Sequence, residues 1–278
     1  MTLKEFSGAV AVVTGGASGI GKATAHALYA RGSHIVIADI NEQALAATVQ
    51  ELLATQEASD RQIVTFALDV TDEAQVQALM QRAAQVTGRI DLVVTSAGIG
   101  RGGPVDEFSG AEMQRLMDIN FMGTYHAVRA ALPFMRQQGS GQYVLISSVA
   151  GKLPPPQLSG YVASKWAVRG FSSALRAELF GSGIDVTTVY PAWVDTPMLQ
   201  QEAGFNMNIE ILLTPDMVAA EIVKAVQEGQ ADLTLAPNQD IAFALQLMKD
   251  DERKAEQLMG MAFHQQQQQA NQASSEAR

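Results

Sequence analysis

The stretch that decides the fold is Thr14-Gly15-Gly16-Ala17-Ser18-Gly19-Ile20-Gly21. It lies between an apolar run at residues 9–14 and a helical pattern at residues 20–31. Its glycines allow a tight turn close to a ligand, and the free N–H groups of the following helix favour an anion such as a pyrophosphate. A glycine-rich turn alone is a weak signal, so its surroundings decide the interpretation. Here they favour a cofactor-binding turn made by Gly15, Ser18, Gly19, Ile20 and Gly21.

Outward from this turn, short β-branched runs alternate with longer helical patterns. The predicted strands cover residues 9–14, 34–38, 63–67, 92–95, 143–146, 186–189 and 233–235. The predicted helices cover residues 20–31, 42–56, 73–86, 111–138, 161–180 and 215–227. This alternation predicts a doubly wound α/β fold, in which a seven-stranded parallel sheet lies between two layers of helices in a three-layer α/β/α arrangement.

The alternation continues without a linker, so we expect a single domain at residues 1–240. Within it, residues 193–213 carry many apolar side chains and no Lys or Arg. This composition fits a lid over an apolar substrate, or equally a segment that packs against the body. Residues 241–263 are expected to dock as a helical extension. Residues 264–278 are rich in Gln and are expected to form a flexible tail or a helix that frays.

The composition excludes several classes of function. Of the 278 residues, 47% are hydrophobic, which allows a sizeable core, and the net charge of −10 disfavours binding to nucleic acid or to anionic membranes. The absence of cysteine excludes disulfides and thiolate metal sites, and we expect no metal. The N-terminus lacks an apolar stretch after a basic cluster, and apolar runs elsewhere are only of strand length, so a cytoplasmic protein is expected.

The choice of cofactor is predicted from the end of the second strand. Asp39 follows that strand, where a carboxylate can accept hydrogen bonds from ribose hydroxyls and would repel a 2′-phosphate. Neither Ser18 nor Ile40 supplies a cation to offset this repulsion, so NAD is favoured over NADP. The alternative is that Asp39 is an ordinary strand-end or helix-capping carboxylate. Further candidate contacts follow the third and fourth strands: Asp69, Val70, Ser96, Ala97 and Gly98.

Asp69 also has two interpretations. It could accept a hydrogen bond from an adenine amine, because it follows a strand of the predicted parallel sheet. Alternatively, Asp69 or Thr71 caps the helix that begins near residue 73.

Candidate catalytic groups lie on the predicted helix at residues 161–180. Tyr161 and Lys165 are four residues apart and therefore share a helix face. An ammonium close to a phenol favours the phenolate and lowers its pKa from about 10, which makes tyrosine a usable general acid or base. Ser148 follows the fifth strand and could hold the substrate oxygen, although the adjacent Ser147 competes for that role. A Tyr-x-x-x-Lys pair alone is common on helix surfaces.

Six motifs occur in order along the chain: TGGASGIG at 14–21, SAG at 96–98, Asn120, ISS at 146–148, YVASK at 161–165 and PAWVDT at 191–196. In this order and spacing the sequence closely resembles the short-chain dehydrogenase/reductase family over about residues 5–240. The resemblance implies a Rossmann-like sheet and a nicotinamide cofactor, with further contacts from Pro191, Val194, Thr196, Tyr161 and Lys165. It also implies a homotetramer or homodimer that pairs its long helices.

The resemblance assigns a catalytic tetrad of Asn120, Ser148, Tyr161 and Lys165. In that family the tyrosine exchanges the proton, the lysine lowers its pKa and binds the nicotinamide ribose, the serine orients the substrate, and the asparagine holds a water relay to the lysine. It also selects the second serine, thirteen positions before the tyrosine, over Ser147. Independently, Asn is a poor helix former, so its presence in the predicted helix at 111–138 suggests a functional reason, although an exposed polar residue is the alternative.

The sequence departs from the family pattern at two points. Thr95 replaces an asparagine that supports neighbouring strands, and Ala192 replaces a glycine near the nicotinamide. Neither change removes a proton-transfer group. Nearby Lys152 is expected to be a solvated loop charge.

The expected function is oxidoreduction between a secondary alcohol and a ketone on a small to medium, largely apolar substrate. A dinucleotide-sensing protein without turnover is a second hypothesis, which NADH formation from secondary alcohols would contradict. A methyltransferase on a similar glycine-rich fold is a third, and it would not need Tyr161 or Lys165. Titration with NAD against S-adenosylmethionine separates it from the other two.

Overall fold

The computed structural model describes residues 3–54, 60–201 and 213–276. In this part of the chain, seven parallel strands form one sheet in the order β3-β2-β1-β4-β5-β6-β7. The strands are β1 (Val10–Thr14), β2 (His34–Asp39), β3 (Ile63–Ala67), β4 (Leu92–Thr95), β5 (Gly141–Ile146), β6 (Ile184–Pro191) and β7 (Asp232–Leu235). The predicted Rossmann-like fold is therefore confirmed.

Helices cover both faces of this sheet. The α-helices of the described residues are α1 (Gly19–Tyr29), α2 (Glu42–Ala54), α3 (Glu73–Thr87), α4 (Gly110–Met117), α5 (Gly123–Gln138), α6 (Ser159–Glu178), α7 (Pro197–Gln201), α8 (Pro215–Glu228), α9 (Gln239–Asp250) and α10 (Glu252–Glu276). Helices α1, α2 and α8 contribute to a core that includes Val13 and Ile35, whereas α3, α5 and α6 contribute to a core that includes Val12 and Val36. Successive strand residues thus enter opposite cores, which is why each strand is a continuous apolar run.

The order of the strands determines where a ligand can bind. The chain leaves β1 toward β2 and β3 on one side and then crosses back to place β4 on the other side of β1. In open α/β sheets, the crevice outside the carboxyl ends of the strands at such a switch point is the usual ligand site. The glycine-rich turn after β1 and the turn after β4 meet at this crevice, because Thr14 pairs with Thr95.

One predicted helix differs from the structure. The sequence predicts a continuous helix at residues 111–138, but the structure interrupts it by a π-helical turn at Asp118–Met122, which separates α4 from α5. A π-helical turn inserts an extra residue into the helix, and such turns are frequent at functional sites. Asn120 lies in this turn and is 1% exposed, so it is not the exposed polar residue of the alternative interpretation.

The C-terminal region is a helical hairpin. Helix α9 is followed directly by α10, which runs through the expected extension and continues through the expected tail to Glu276. Residues 264–276 are thus helical in the structure, and residues 277–278 lie outside the described part. Much of the expected lid, residues 202–212, also lies outside it, whereas Val194 and Leu213 form a β-bridge. Within the described residues, no helix is long and apolar enough to cross a membrane, and no cluster of potential metal ligands occurs.

We expect removal of residues 265–278 to change the melting temperature by less than about 2 °C, because exposed polar positions contribute little to stability. All side chains described beyond His264 are exposed. Differential scanning calorimetry of the truncated and full chains measures this. A second truncation after Asp250, which also removes the buried Ala255, should lower the melting temperature more. A drop above about 4 °C from the shorter truncation would show instead that the tail docks on the body or on another subunit.

Candidate active site

The glycine-rich turn presents bare backbone to the crevice. Gly15 has a φ of 67°, and a Cβ there would lie 2.6 Å from the Ala97 nitrogen. A Cβ on Gly21 would lie 2.1 Å from the Gly15 carbonyl oxygen. Only glycine fits at either position, so the turn packs directly on the backbone after β4. Ser18, Gly19 and Ile20 line the crevice, and Ser18 does not cap α1, so the N–H groups at the start of this helix can bind an anion there.

Asp39 fixes the edge of this crevice at the end of β2. One of its carboxylate oxygens accepts a hydrogen bond from Ala17 N at 3.2 Å, and the other accepts one from Asn41 N at 3.1 Å. Asp39 therefore joins the glycine-rich turn to the end of β2 and also lines the cavity, beside the exposed Ile40.

The loop after β3 lies next to Asp39 and is held by α5. Asp69 accepts hydrogen bonds from the Thr71 N–H at 2.9 Å and the Thr71 hydroxyl at 2.8 Å. The capping alternative for Asp69 and Thr71 is wrong, because the N-cap of α3 is Asp72. Val70 packs against α5. His126 Nδ1 lies 3.0 Å from the Val70 carbonyl oxygen, and the Val70 side chain lies so close to Gly123 that a Cβ there would be 2.7 Å from Val70 Cγ2.

Asn120 holds the chain after β4 in place. Its Oδ1 accepts a hydrogen bond from Ile99 N at 2.8 Å, and its Nδ2 donates to Ile99 O at 3.0 Å and to Ser164 Oγ at 2.9 Å. The Ser164 hydroxyl in turn donates to Tyr161 O at 2.8 Å. A Cβ on Gly98 would lie 3.1 Å from Asn120 Oδ1 and 3.7 Å from Lys165 Nζ, so both polar atoms face the same glycine.

The two serines after β5 have different surroundings. The Ser147 hydroxyl donates to the Lys165 carbonyl oxygen at 2.9 Å and thereby ties β5 to α6. The Ser148 hydroxyl accepts from Ala150 N at 3.2 Å and makes a long contact of 3.4 Å to Pro191 O. The Ser147 hydroxyl donates a short hydrogen bond to the backbone of α6, whereas the Ser148 hydroxyl donates only a long one. Ser148 can therefore donate to a ligand more readily than Ser147.

Lys165 carries its ammonium group in the interior. Its Nζ donates to Ile146 O at 3.1 Å and lies 5.6 Å from the centroid of the Tyr161 ring. Burial lowers the pKa of Lys165 to about 8, because desolvation disfavours the charged form. Tyr161 is half-buried at the same cavity wall, so the helix spacing of four residues does place the ammonium beside the phenol ring.

A cavity of about 1010 Å³ brings most of the predicted site residues together. Only Gly21 and Asn120 are not part of its wall; they lie behind it, against Gly15 and Ile99. The predicted residues that line it are Gly15, Ser18, Gly19, Ile20, Asp39, Asp69, Val70, Ser96, Ala97, Gly98, Ser148, Tyr161, Lys165, Pro191, Val194 and Thr196.

Two supporting residues, Ser164 and His126, were not predicted from the sequence, and Ser147 was considered only as a competitor of Ser148. The signal for Ser164 was its place one residue before Lys165 inside a helix, where serine is not a strong helix former. His126 gave no signal, because its contact with Val70 spans 56 positions.

Lys152 corrects another expectation. It is only partly solvated: its Nζ donates to Thr234 Oγ1 at 2.8 Å and lies 3.7 Å from the Tyr190 ring centroid. Partial burial lowers the pKa of Lys152.

At the first departure from the family pattern, Thr95 is buried and accepts a long hydrogen bond of 3.4 Å from Thr124 Oγ1. At the second, Ala192 N donates to Leu235 O at 2.9 Å.

Comparison with known proteins gives a consistent result. The family described as short chain dehydrogenase matches residues 9–205. A 2-dehydro-3-deoxy-L-rhamnonate dehydrogenase (NAD(+)) from a Sphingomonas species is 41% identical over 198 residues, which cover 71% of this chain and 76% of that protein. Levodione reductase from Leifsonia aquatica is 36% identical over 197 residues, which cover 70% of this chain and 73% of the reductase.

A solved structure shows the same similarity in three dimensions. It is a short chain dehydrogenase/reductase from Burkholderia phymatum in complex with NAD, and its sequence identity to this chain is 30%. The TM-score is 0.80, with 89% of this chain and 95% of the other covered. The similarity thus extends well beyond residues 9–205.

The buried ammonium of Lys165 should lower the stability of the fold. Its pKa falls from 10.5 to about 8, so Lys165→Met should raise the free energy of unfolding below about pH 8 by up to roughly 3 kcal/mol. Between about pH 8 and 10.5 the gain should shrink, because the folded wild type has already released the proton. Urea unfolding at about pH 7 and pH 9.5 tests this, with the exposed Lys224→Met as the control. Equal gains at both pH values would contradict a buried charge.

Proposed function

The chain belongs to the short-chain dehydrogenase/reductase family, and on that basis we propose that it interconverts a secondary alcohol and a ketone with NAD(H). The proposed substrate is of small to medium size and largely apolar. The observation that carries the proposal is the buried Lys165 ammonium beside Tyr161, in the same cavity as the glycine-rich turn. Formation of NADH from a panel of secondary alcohols tests it, and a panel without any turnover would favour a dinucleotide-sensing protein instead.

The cavity fits NAD by its shape and charge. Gly15 and Gly21, where a Cβ would collide with neighbouring backbone, keep the turn tight, and Ser18, Gly19 and Ile20 line the cavity at the start of α1, where a pyrophosphate would bind. Asp39 supplies a carboxylate for ribose hydroxyls, and Asp69 and Val70 line the adjacent wall. At the other end, Tyr161 and Lys165 would hold the nicotinamide ribose, with Pro191, Val194 and Thr196 beside the ring. When bound, NAD supplies the hydride acceptor or donor.

Tyr161 exchanges the proton in this proposal. In alcohol oxidation its phenolate oxygen takes the hydroxyl proton, and in ketone reduction its hydroxyl gives that proton to the carbonyl oxygen. The Lys165 ammonium favours the phenolate by charge attraction. The Ser148 hydroxyl donates to the substrate oxygen and holds it beside Tyr161. None of these steps needs a metal ion.

Asn120 acts through the chain around it. Its amide connects the loop after β4 to α6, which carries Tyr161 and Lys165. We therefore propose that Asn120 is a positioning residue. The approach of Asn120 Oδ1 and Lys165 Nζ to the same point at Gly98 also fits the water relay that the family resemblance implies.

The chain is also proposed to act as a homodimer or homotetramer in the cytoplasm. Helix α6 exposes Trp166, and Phe180, two residues beyond the helix, is 93% exposed. Exposed apolar side chains of this size, on α6 and just beyond its end, favour an interface between copies. The absence of cysteine fits a reducing compartment.

Asp39 should determine the choice between NAD and NADP. A variant with Asp39→Ala and Ile40→Arg should shift the ratio of kcat/KM for the two cofactors toward NADP by at least about tenfold, because a repelling carboxylate is replaced by a cation. Steady-state kinetics with a single alcohol measures the ratio, and Ile40→Ala alone serves as the control. Equal use of NAD and NADP by the unmodified enzyme would show that the carboxylate does not discriminate.

Tyr161→Phe should lower kcat by a factor of at least about 100, because only the proton-exchanging hydroxyl is removed. The dissociation constant for NADH should change far less than kcat, since Lys165 and the aromatic ring at position 161 still contact the cofactor. Steady-state kinetics and NADH fluorescence measure the two quantities. The matched control is Tyr125→Phe, on α5 outside the cavity wall, which should keep its activity. Retention of a third of the activity by Tyr161→Phe would place the proton exchange elsewhere.

A further inference from the structure

The hairpin of α9 and α10 lies at one end of the cavity. Helix α9 follows β7, the edge strand next to β6, whereas Asp39 and Asp69 follow β2 and β3 at the opposite edge of the sheet. The hairpin therefore belongs to the end that holds Ser148 and Pro191, where the reacting carbon must bind. It is also outside the segment that matches the family, which ends at residue 205.

Each helix of the hairpin turns one apolar stripe to the cavity. Ile241 and Ala244 are three positions apart on α9, and Met259 and Phe263 are four positions apart on α10, so each pair shares a helix face. Ala262 completes the stripe of α10. The stripes share the cavity with apolar residues of the main domain, which include Leu153, Pro155, Leu158, Trp193 and Met198.

The hairpin is only loosely joined to the main domain. Helix α10 packs chiefly against α9, no residue of α9 is buried, and Ala255 is the one buried residue among the described side chains of α10. An apolar stripe that faces a cavity without being buried gains stability only when another apolar surface covers it. The cavity beside the reacting groups is thus bounded by apolar surface of the hairpin on one side and of the main domain on the other.

We propose that α9 and α10 form a hydrophobic flap that closes on the body of the substrate, with Met259 and Phe263 contacting the part away from the reacting carbon. This rests on the reaction proposed above and specifies its substrate: a neutral secondary alcohol or ketone with an extended alkyl chain or a ring.

The charges around the cavity fit this substrate. Asp240 is the one charged residue that the described hairpin adds to the wall, and it would repel an anion. Arg115 on α4 and Asp118 at the start of the π-helical turn also line the wall, and their charges have opposite signs. A carboxylate or phosphate on the substrate body would therefore meet no net positive charge from these elements.

The test compares kcat/KM for secondary alcohols from isopropanol to sec-octanol and menthol. In the wild type, kcat/KM should rise with the apolar size of the alcohol, by up to about fourfold per methylene. In Phe263→Ala and Met259→Ala, the ratio of kcat/KM for sec-octanol to that for isopropanol should fall at least about tenfold. The matched control, Met261→Ala, removes an outward side chain of the same helix that is 59% exposed, and should keep the wild-type ratio. The milder Phe263→Leu replaces Phe263→Ala if that variant does not fold.

A binding measurement separates this proposal from the reaction itself. Methyl hexyl ketone added to the protein–NAD⁺ complex, in which it cannot be reduced, should quench the tryptophan fluorescence of the wild type, because Trp193 lines the cavity, and about tenfold more ketone should be needed in Phe263→Ala. If no alcohol is oxidised but this difference in ketone binding is found, the flap is supported and the reaction is not. If alcohols are oxidised but the two variants keep the wild-type ratio of kcat/KM, the flap is overturned and the reaction stands.

Discussion

The contact between the turn after β1 and the turn after β4 is the constraint on which the rest of the structure depends. Gly15 approaches Ala97 so closely that a side chain cannot fit, and Ser96 N donates to Thr14 O at 3.1 Å. Two backbones in direct contact fix the distance between neighbouring strand ends more firmly than side chains could. The carboxylate of Asp39 accepts a hydrogen bond from Ala17 N and thereby joins the end of β2 to the same turn. One wall of the cavity is thus determined by backbone contacts and a single acidic side chain.

The opposite wall depends on the way α6 is docked to the end of β5. Ser147 binds the Lys165 carbonyl oxygen, Trp166 Nε1 donates to Ala150 O at 3.0 Å, and Arg169 donates to Gly151 O at 3.0 Å. These bonds hold the helix in a fixed register on the strand end, so Lys165 cannot leave the interior without breaking several of them. The buried ammonium is unfavourable for stability, and the docking bonds offset part of that loss. Stability and chemistry thus place opposite demands on the same residue.

Much of the fold could be predicted because both faces of the sheet are covered. Burial on two sides makes each strand an uninterrupted apolar run, and the predicted ends of strands and helices lie within about two residues of those observed, with helix ends fraying as usual. The interruption at Asn120 could not be predicted, because the apolar spacing on either side continues as in a regular helix. The end of the predicted helix at residues 42–56 falls partly outside the described residues.

The candidate site could be predicted as a set of residues but not as a set of contacts. The order of the motifs along the chain is enough to predict Tyr161, Lys165 and Ser148 as site residues. It does not predict the hydrogen bond from Asn120 to Ser164, the contact between His126 and the Val70 carbonyl, or the half-buried position of Lys152. Each of these depends on a partner that is distant in sequence. The continuation of α10 beyond residue 263 has a local cause: glutamine and alanine are good helix formers even where nothing is buried.

The central place of β1 in the sheet has a consequence for how the protein is made. Strand β1 is synthesised before its partner β4, and the bond between Val10 N and Asp91 Oδ2 joins residues that are 81 positions apart. Until β4 has been synthesised, one side of β1 lacks its neighbour and stays open to wrong pairing with other chains. Parallel sheets with such distant partners fold slowly, so the unpaired edge of β1 is exposed for the time that the chain up to β4 takes to be made.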